Sequence, residues 1–455
     1  MQLPVAPPDF DALLEDTTAR GSIELSRVLN AFTEVDRQGR YLHWDKLRHL
    51  PAPEGFTPEQ WWLGIKMARR KSYKPLPLAD KRGNAFRYCL PAIVQKELHW
   101  LDRHASGSLQ AEEAITDPQT RNTYLIRSLI EEAINSSQLE GASTTQNVAK
   151  EMIRQDRAPR NKSEQMIFNN YQAMQFIREC KSDPLTPSLV FELQRILTRD
   201  TLDDATQAGR FRQADEDIHV VDNASHVVLH EPPPAHELSA RLQALCDFAN
   251  ADTMQSVQPD VFLHPVVRSI VLHFMLSYDH PFCDGNSRTA RALFYWAMAR
   301  QGYWLTEFIS ISRVIKQSPM QYGRAYLHSE TDDSDVTYFL IHQLDVIHHA
   351  ITALHEFLRN KVRDINAAGE MLTQNPRLKD RLNFRQLALL RHALKHPRFG
   401  YVIEEHQRSH GISYDVARKD LLFMAEELKL LTKTKAGKRY LFIVPEDIEQ
   451  RIRKK

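Results

Sequence analysis

The chain has 455 residues, 42% of them hydrophobic and 26% charged, a composition typical of a globular protein with a sizeable core. Its formal net charge of +1 excludes a general electrostatic attraction of the whole chain to nucleic acid or to membranes. The sequence lacks a long apolar run and a signal-peptide pattern, and its four cysteines are scattered, so we expect a cytoplasmic protein without membrane contact.

Residues 1–117 are predicted to form a helical N-terminal region. A helix is expected to begin at Thr57-Pro58, because threonine is a good N-cap and proline fits the first helical position. This helix would bring Trp61 and Trp62 into the packing. The region carries no catalytic pattern, and we interpret it as a scaffold or docking domain.

Residues 118–360 have the helical periodicity of a larger domain. Apolar residues recur at helical spacing in TYLIRSLIEEAINSSQLEG, before an expected stop at Gly141, and again in PDVFLHPVVRSIVLHFMLSYDH. Two β-branched runs, Ile218–Val221 and Val227–Leu229, predict a hairpin among these helices. Because two strands alone cannot form a larger sheet, we expect the hairpin to project over a surface.

Residues 361–380 are interpreted as a connector, and the pattern changes again over residues 381–455. There a helix, a short helix, a Gly-Ile-Ser turn, a longer helix and two short strands predict a winged helix-turn-helix domain. This segment has 17 Lys and Arg against 9 Asp and Glu. The basic residues that the pattern places on the second helix and the wing are Arg418, Lys419, Lys433, Lys435, Lys438 and Arg439. Contact with DNA and docking of a protein are both open for this domain.

The twelve residues HPFCDGNSRTAR, from His280 to Arg291, combine groups suited to phosphate chemistry. They end one predicted helix and begin the next, whose first turn offers free N–H groups and the positive end of the helix dipole. Gly285 permits the close backbone approach that an anion site needs. Arg288 and Arg291 are three residues apart on one helix face, which suggests more than one phosphate.

Two further residues of this stretch add reactive chemistry. Asp284 can hold a Mg²⁺ ion that bridges phosphate oxygens, and His280 can accept a proton from a hydroxyl near neutral pH. Each residue also has an ordinary interpretation, since Asp-Gly-Asn is usually a turn and two such arginines usually face solvent. The joint order, with the loop first and the helix N-terminus second, favours phosphate chemistry.

The same stretch resembles the signature of the Fic family, HPFx(D/E)GNxRxxR, and the resemblance extends over roughly residues 120–345. Fic proteins have compact all-α domains, and most move AMP from ATP to a hydroxyl side chain of a target protein, with release of pyrophosphate. The resemblance implies a mainly α protein. Its all-α Fic core would carry a small hairpin flap and lie between the helical N-terminal region and the winged helix-turn-helix domain.

The resemblance implies a role for each residue of the signature. His280 would be the general base for a target Ser, Thr or Tyr hydroxyl, and Asp284 would hold Mg²⁺ between the α- and β-phosphates. The nucleotide-binding residues would be Gly285, Asn286 and Ser287 at the α- and β-phosphates, Arg288 at the β-phosphate and Arg291 at the γ-phosphate. Ser287 departs from the glycine usual in AMP-transferring members. A kinase-type relative has lysine there, so a small serine favours AMP transfer and leaves altered nucleotide use open.

Two other segments gain roles from the resemblance. The hairpin would be a flap that docks the target by strand addition, through Ile218, His219, Val220 and Val221. The stretch SSQLEG matches the family's inhibitory motif, (S/T)xxxE(G/N), at Ser136, Glu140 and Gly141. By this resemblance, Glu140 would pair with Arg291 and occupy the γ-phosphate region.

The expected function is therefore that of a protein adenylyltransferase, inhibited through Glu140 and Arg291, which modifies an unidentified target protein and itself. A homodimer is compatible with the family. Removal of AMP, transfer of another phosphate-containing group, and a nucleic-acid-binding regulator with a secondary Fic module stay open as alternatives. A zinc hydrolase is disfavoured, because the spacing of its candidate ligands matches no common zinc motif. Those candidate ligands are His264, His273, His280 and Asp284.

Overall fold

The computed structural model describes residues 2–106, 118–154, 157–222, 225–251, 262–373, 381–396, 398–436 and 439–453. Contacts along the chain divide it into two compact units, Met1–Leu354 and His355–Lys455. Helices dominate both units, which confirms the mainly α fold class. Within the described ranges, no helix is both long enough and apolar enough to cross a membrane.

The first unit begins with a helical region that contains one β-hairpin. Its elements are α1 Phe10–Ala19, α2 Ser22–Asn30, α3 Trp44–Leu47, α4 Pro58–Ser72, β1 Lys74–Ala79, β2 Ala85–Tyr88 and α5 Ala92–Ala105. Helix α4 begins where the sequence predicts, because the Thr57 side chain accepts the Gln60 N–H and the Gln60 side chain accepts the Thr57 N–H. Trp61 and Trp62 are buried, as expected.

The sequence does not predict the hairpin β1–β2. Pro75 and Pro77 lie within β1 and argue against a strand, because proline cannot donate to a ladder. The two strands are antiparallel, with an irregular register between Pro75 and Ala79 that accommodates the prolines. The tip of this hairpin, residues 79–84, lies close to the candidate site described below.

The helices that carry the sequence motifs follow. They are α6 Pro118–Leu139, α7 Gln146–Arg154, α8 Lys162–Glu179, α9 Pro187–Thr198, α10 Leu238–Asn250, α11 Pro265–Asp279, α12 Asn286–Arg300, α13 Ile311–Ile315, α14 Pro319–Thr331 and α15 Thr337–Thr373. Helices α11 and α12 lie at the centre, where nearly every side chain is buried, and α6, α8 and α9 pack against α12. The loop between α11 and α12 carries the HPFCDGNSRTAR stretch.

The predicted second hairpin is present between α9 and α10, and it is shorter than expected. Strand β3, Val220–Val221, pairs antiparallel with β4, Val228–His230, so Ile218 and His219 lie before the first strand. The His230 ring anchors the hairpin to the core, with Nε2 2.7 Å from the Tyr278 carbonyl oxygen. Residues 223 and 224 of the predicted turn lie outside the described residues.

The second unit has a core of its own. Its elements after α15 are α16 Phe384–Lys395, β5 Gly400–Tyr401, α17 Ile403–His410, α18 Tyr414–Leu422, β6 Thr432–Ala436, β7 Arg439–Ile443 and α19 Ile448–Arg453. Gly411, with φ 59°, ends α17, and the Ser413 side chain caps α18. The strands form a sheet in the order β5–β7–β6, so the sheet has one strand more than expected.

The predicted connector and the wing fall partly outside the described residues. Residues 361–373 continue α15 as helix, and residues 374–380 are outside the described ranges, as is Lys438. The helices, turn and strand pair occur in the predicted order, and the assignment of a winged helix-turn-helix domain stays a prediction.

Candidate active site

The loop between α11 and α12 reverses the chain through two residues with left-handed backbone. His280 has φ 45° and ψ 55° at the end of α11, and Gly285 has φ 86° at the start of α12. Glycine suits its position because a Cβ atom there would also meet the Thr198 methyl group at 3.0 Å. Histidine gains no such freedom, so the surrounding structure must hold His280 in place.

Arg212 connects the loop between α11 and α12 to the residues directly after the flap. Its Nε donates to the His280 carbonyl oxygen at 2.9 Å, and its backbone N–H donates to the Pro281 carbonyl oxygen at 2.9 Å. The same buried guanidinium donates to the Pro233 carbonyl oxygen, just after β4. Arg212 ends the stretch GRFR, residues 209–212, and within the sequence only the resemblance to the Fic family marks this stretch.

The contacts of His280 fix its tautomer. Its Nδ1 lies 3.3 Å from the Ser277 carbonyl oxygen, which can only accept, so Nδ1 carries the proton and Nε2 does not. Burial, reinforced by the nearby charges of His230 and Arg212, lowers the pKa of His280 to about 4. The imidazole is therefore neutral at pH 7, with Nε2 ready to accept a proton.

Asp284 is exposed at the mouth of the loop. Its Oδ1 accepts hydrogen bonds from the Gly285 N–H at 2.5 Å and from Arg288 Nη2 at 3.1 Å. Among the described residues, no group of three or more His, Cys, Asp or Glu side chains could hold a metal ion by itself. One exposed carboxylate fits a Mg²⁺ ion whose other ligands come from phosphates and water.

Asn286 and Ser287, the first residues of α12, differ in what their side chains do. Asn286 is buried, and its side chain accepts the Phe282 N–H at 2.9 Å and donates to the Phe282 carbonyl oxygen at 2.7 Å. This side chain braces the loop, which leaves the backbone N–H for the predicted phosphate contact. Ser287 is half-buried and lines the same cavity as His280.

Arg288 is buried beneath the loop. Its Nη1 donates to the Leu197 carbonyl oxygen at 3.0 Å, and its Nη2 meets Asp284 as described. Its Nε is buried without a hydrogen-bond partner. The guanidinium therefore places positive charge directly under the N-terminus of α12, where the predicted phosphates would lie.

Arg291 meets the SSQLEG stretch, as the resemblance implies. The Arg291 Nε donates to Ser136 Oγ at 2.9 Å, and Nη2 donates to the Ser136 carbonyl oxygen at 3.1 Å and to Glu140 Oε1 at 2.8 Å. Burial acts most strongly on the pKa of Arg291 and lowers it, but Glu140, Tyr322 and Glu132 together outweigh burial and hold that pKa above the usual value. Gly141, with φ 94°, turns the chain directly after this contact.

A mostly apolar cavity of about 170 Å³ lies beside His280, under the flap. Val220 and Leu229 of the flap line one side, and Tyr322 and Tyr326 of α14 line another. No motif in the sequence marks these two tyrosines as site residues. Of the four predicted docking residues, Val220 is the one that lines the cavity within the described chain, whereas Val221 is exposed on the flap.

The structure thus brings most of the predicted residues together. His280 and Asp284 lie in the loop, and Arg288 and Arg291 lie on α12 directly after it. Ser136 on α6 and Glu140, directly after α6, contact Arg291. The candidate zinc ligands do not converge: His264 caps the start of α11, and the His273 Nε2 lies 2.8 Å from the Tyr322 hydroxyl.

Comparison with known proteins relates the central part of this site, including the signature loop, to a protein family. The Fic/DOC family matches residues 184–298, which include α9, the flap, α10, α11 and most of α12. A protein adenylyltransferase Fic from Nematostella vectensis is 25% identical over 241 residues, which cover 49% of this chain and 50% of that protein. The Drosophila willistoni protein of the same name is 33% identical over 100 residues, or 22% of this chain and 17% of that protein. The chain therefore matches half or less of these relatives' length.

Solved structures of Fic proteins are also similar. A Fic family protein from Desulfovibrio desulfuricans has a TM-score of 0.48 and 19% identity, covering 78% of this chain and 96% of that one. Fic-1 from C. elegans has a TM-score of 0.47 and 16% identity, covering 79% of this chain and 90% of that one. The signature at His280–Arg291 lies within the residues that the family matches, and residues 184–298 therefore form a Fic domain of the Fic/DOC family.

Proposed function

We propose that the chain is a protein adenylyltransferase that transfers AMP from ATP to a hydroxyl side chain of a target protein. One observation carries this proposal: a neutral histidine with an unprotonated Nε2 lies directly before a helix N-terminus backed by a buried arginine. A proton acceptor beside an anion site is what transfer of a phosphate-linked group to a hydroxyl requires.

The surroundings of His280 suit a nucleotide. The apolar cavity with its two tyrosine rings is chemically suited to a nucleobase, and the N–H groups at the start of α12 suit the phosphates. Asp284 would hold Mg²⁺, which supplies charge neutralisation on the phosphates when bound. Ser287, the second residue of α12, lines the cavity, and its hydroxyl adds a hydrogen-bonding group that glycine lacks.

The proposed step follows from these positions. His280 Nε2 accepts the proton of the target hydroxyl as the oxygen attacks the α-phosphorus. The new P–O bond forms while the bond to the β-phosphate breaks, and pyrophosphate leaves. The N-terminus of α12 and Arg288 stabilise the charge that develops on the phosphate oxygens.

Inhibition by Glu140 belongs to the same proposal. Arg291 already satisfies two of its nitrogens with Ser136 and Glu140, so a γ-phosphate would have to displace a charged partner to reach it. ATP would then bind with its α-phosphate poorly aligned for attack, which slows transfer.

The deciding experiment uses two forms of labelled ATP, with label at the α- or the γ-phosphate, and the Glu140→Gly chain. We expect the α label to appear on protein and the γ label to stay in solution. Transfer of the γ label would replace the proposal with a kinase, and loss of the α label in His280→Ala would tie the activity to this site. No protein labelling with either form would overturn the proposal.

Removal of AMP is a second candidate, favoured by the exposure of Glu140. About a third of that side chain, 31%, is exposed, and its charge is near enough to offset a small part of the lowering of the His280 pKa. Such a carboxylate can activate a water molecule at the same site. Release of AMP from a modified target by the wild-type chain, abolished by Glu140→Gln, would establish this activity.

A further inference from the structure

We propose that Arg241 is a positioning residue for His280, and that it acts by joining the tip of the N-terminal hairpin β1–β2 to the last residue of α11. This inference rests on the proposed function, because it concerns how accurately the proton acceptor is held. It also extends the catalytic unit to residues that precede the matched Fic domain.

The Arg241 guanidinium lies between two elements. Its Nε and Nη2 each lie 2.8 Å from Asp279 Oδ1, and Asp279 directly precedes His280. On its other side, Nη2 donates to the Ala79 carbonyl oxygen at 2.6 Å, and Nη1 donates to the Asp80 carbonyl oxygen at 3.4 Å. The arginine therefore binds a buried carboxylate and two hairpin carbonyls at once.

The tip of hairpin β1–β2 makes further contacts near the Arg241–Asp279 pair. The Lys81 N–H donates to the Tyr278 hydroxyl at 3.0 Å, and Lys81 Nζ donates to the Glu231 carbonyl oxygen at 3.1 Å, directly after β4. Asp80 accepts a hydrogen bond from Ser334 Oγ at 3.0 Å, which ties the tip to the loop before α15. The tip thus contacts the end of α11, the end of the flap and the loop after α14.

The position of the last turn of α11 controls His280. The His280 N–H donates to the Leu276 carbonyl oxygen, and its Nδ1 faces the Ser277 carbonyl oxygen that fixes the tautomer. Without Arg241, the buried carboxylate of Asp279, the residue directly before His280, would lose its ion pair. The turn would then shift or Asp279 would take up a proton, and either change disturbs the alignment of His280.

The charge of Asp279 gives the inference a pH signature. Burial raises the pKa of Asp279 to about 6, although Arg241 on α10, His230 on β4 and Arg212 all act to lower it. Glu237 lies 3.6 Å from Arg241 and Lys81 lies at the hairpin tip, so they complete the charged surroundings. We therefore expect the Asp279–Arg241 pair to weaken as the pH falls through about 6 and Asp279 takes up a proton, before His280 itself is protonated.

Three variants of the full chain and one control variant test the inference by kinetics, each in the Glu140→Gly background. Arg241→Gln removes the ion pair, and Arg241→Lys keeps a charge without the fork that reaches both elements. We expect kcat to fall about tenfold to a hundredfold in Arg241→Gln and less in Arg241→Lys, with the KM for ATP nearly unchanged. In the parent we expect kcat to fall as the pH drops below about 6. Asp279→Asn has no carboxylate to protonate, so this pH dependence of kcat should be absent.

The matched control is Arg300→Gln. Arg300 lies on α12 and also donates to two backbone carbonyl oxygens, those of Ser182 at 2.8 Å and Asp183 at 2.9 Å, away from His280. Its kcat and pH profile should match those of the parent. If Arg300→Gln and Arg241→Gln lower kcat equally, Arg241 has only a structural role and the inference fails.

A readout that does not depend on activity separates this inference from the proposed function. Nitrogen NMR of ¹⁵N-histidine-labelled chain, with His280→Ala to assign the ring, reports the tautomer of His280 directly. We expect one Nδ1-protonated form in the parent and a mixed or shifted signal in Arg241→Gln and Arg241→Lys. An unchanged signal overturns the inference. A changed signal in a chain that transfers no AMP would sustain it while the proposed function fails.

Discussion

At the scale of single residues, His280 has a backbone that histidine rarely adopts and a pKa lowered to about 4 by burial. A strained residue held by the surrounding chain is typical of a site where orientation matters. We expect His280→Ala to lower AMP transfer at least a hundredfold while nucleotide affinity changes little, because only the proton acceptor is lost. Labelled transfer and calorimetric titration measure the two effects. Near-parent transfer by this variant would contradict the assigned role.

Glu140 should act on rate rather than on folding. Glu140→Gly removes the carboxylate that competes for Arg291, and we expect self-modification to rise at least tenfold over the wild type. Glu140→Gln keeps a hydrogen-bonding side chain without the charge, so its rate should lie between the two. Rates at saturating ATP give the comparison. A fall of transfer in both variants would instead indicate that Glu140 takes part in the chemistry.

The sequence predicts which residues meet at this site better than what each side chain does there. The order of the loop and helix places His280, Asp284 and Arg288 together, and the structure shows that grouping. It also shows that the Asn286 side chain is used within the loop, which depends on a bend that no local pattern encodes. No local pattern marks Arg241, because its partners, the Asp279 carboxylate and the hairpin carbonyls, are distant in the chain. Arg212 is marked only by the resemblance, because its partners are backbone carbonyls that are also distant in the chain.

At the scale of elements, the predictable parts are those with local signals. Helix α4 has its cap and its proline, and α11 has its apolar repeat, so both begin or end close to the expected residues. Hairpin β1–β2 could not be predicted, because two prolines oppose a strand locally and packing against the rest of the unit overrides them. Strand β5 has only two residues and depends on its neighbour β7.

The flap offers a prediction about an element rather than a side chain. If the target adds a strand to β3, backbone N–H groups carry the contact and the exposed Val221 side chain matters little. Val221→Pro should then lower modification of the target at least tenfold, whereas Val221→Thr should change it less than twofold. ATP affinity, measured by calorimetry, should match the parent in both. Equal rates in all three chains would exclude strand addition at this residue.

At the scale of the whole first unit, stability should depend on pH because several histidines are buried in neutral form. Burial lowers the pKa of His43 to about 4, that of His328 to about 3 and that of His342 to about 4. His43 and His328 stack with ring centroids 4.4 Å apart, so protonating both is especially unfavourable. In the unfolded chain these histidines take up protons as the pH falls below about 6.5, whereas in the folded chain they stay neutral until about pH 4.

The direction of the pH dependence of stability follows from this difference in histidine pKa between the folded and the unfolded chain. A lowered histidine pKa stabilises the fold fully above pH 6.5, and the stabilisation is lost as pH falls toward the folded-state pKa. We expect the Tm to fall between pH 7 and pH 5, by the equivalent of about 2 kcal/mol for each buried imidazole. His342→Gln should reduce the fall, and His349→Gln, at an exposed histidine, should not. A Tm that is constant over this range would contradict the prediction.

The last prediction concerns the second unit, which has a hydrophobic core of its own, so we expect it to bind a partner without taking part in transfer. Arg418 and Lys419 are exposed on α18, and Lys435 is exposed on β6, where a winged helix would meet the phosphates of a DNA duplex.

We expect the full chain to bind duplex DNA with an affinity that falls steeply with salt, because each phosphate contact releases counterions. The paired change Arg418→Gln and Lys419→Gln should weaken binding and lower the salt slope by about two. Arg451→Gln, at an arginine paired with Asp447, serves as the control and should leave both unchanged.

A chain ending at residue 380 should lose DNA binding and keep AMP transfer. If this shortened chain folds but transfers no AMP, the second unit belongs to the catalytic machinery. If the full chain binds no duplex at low salt, protein docking is the better interpretation of this unit.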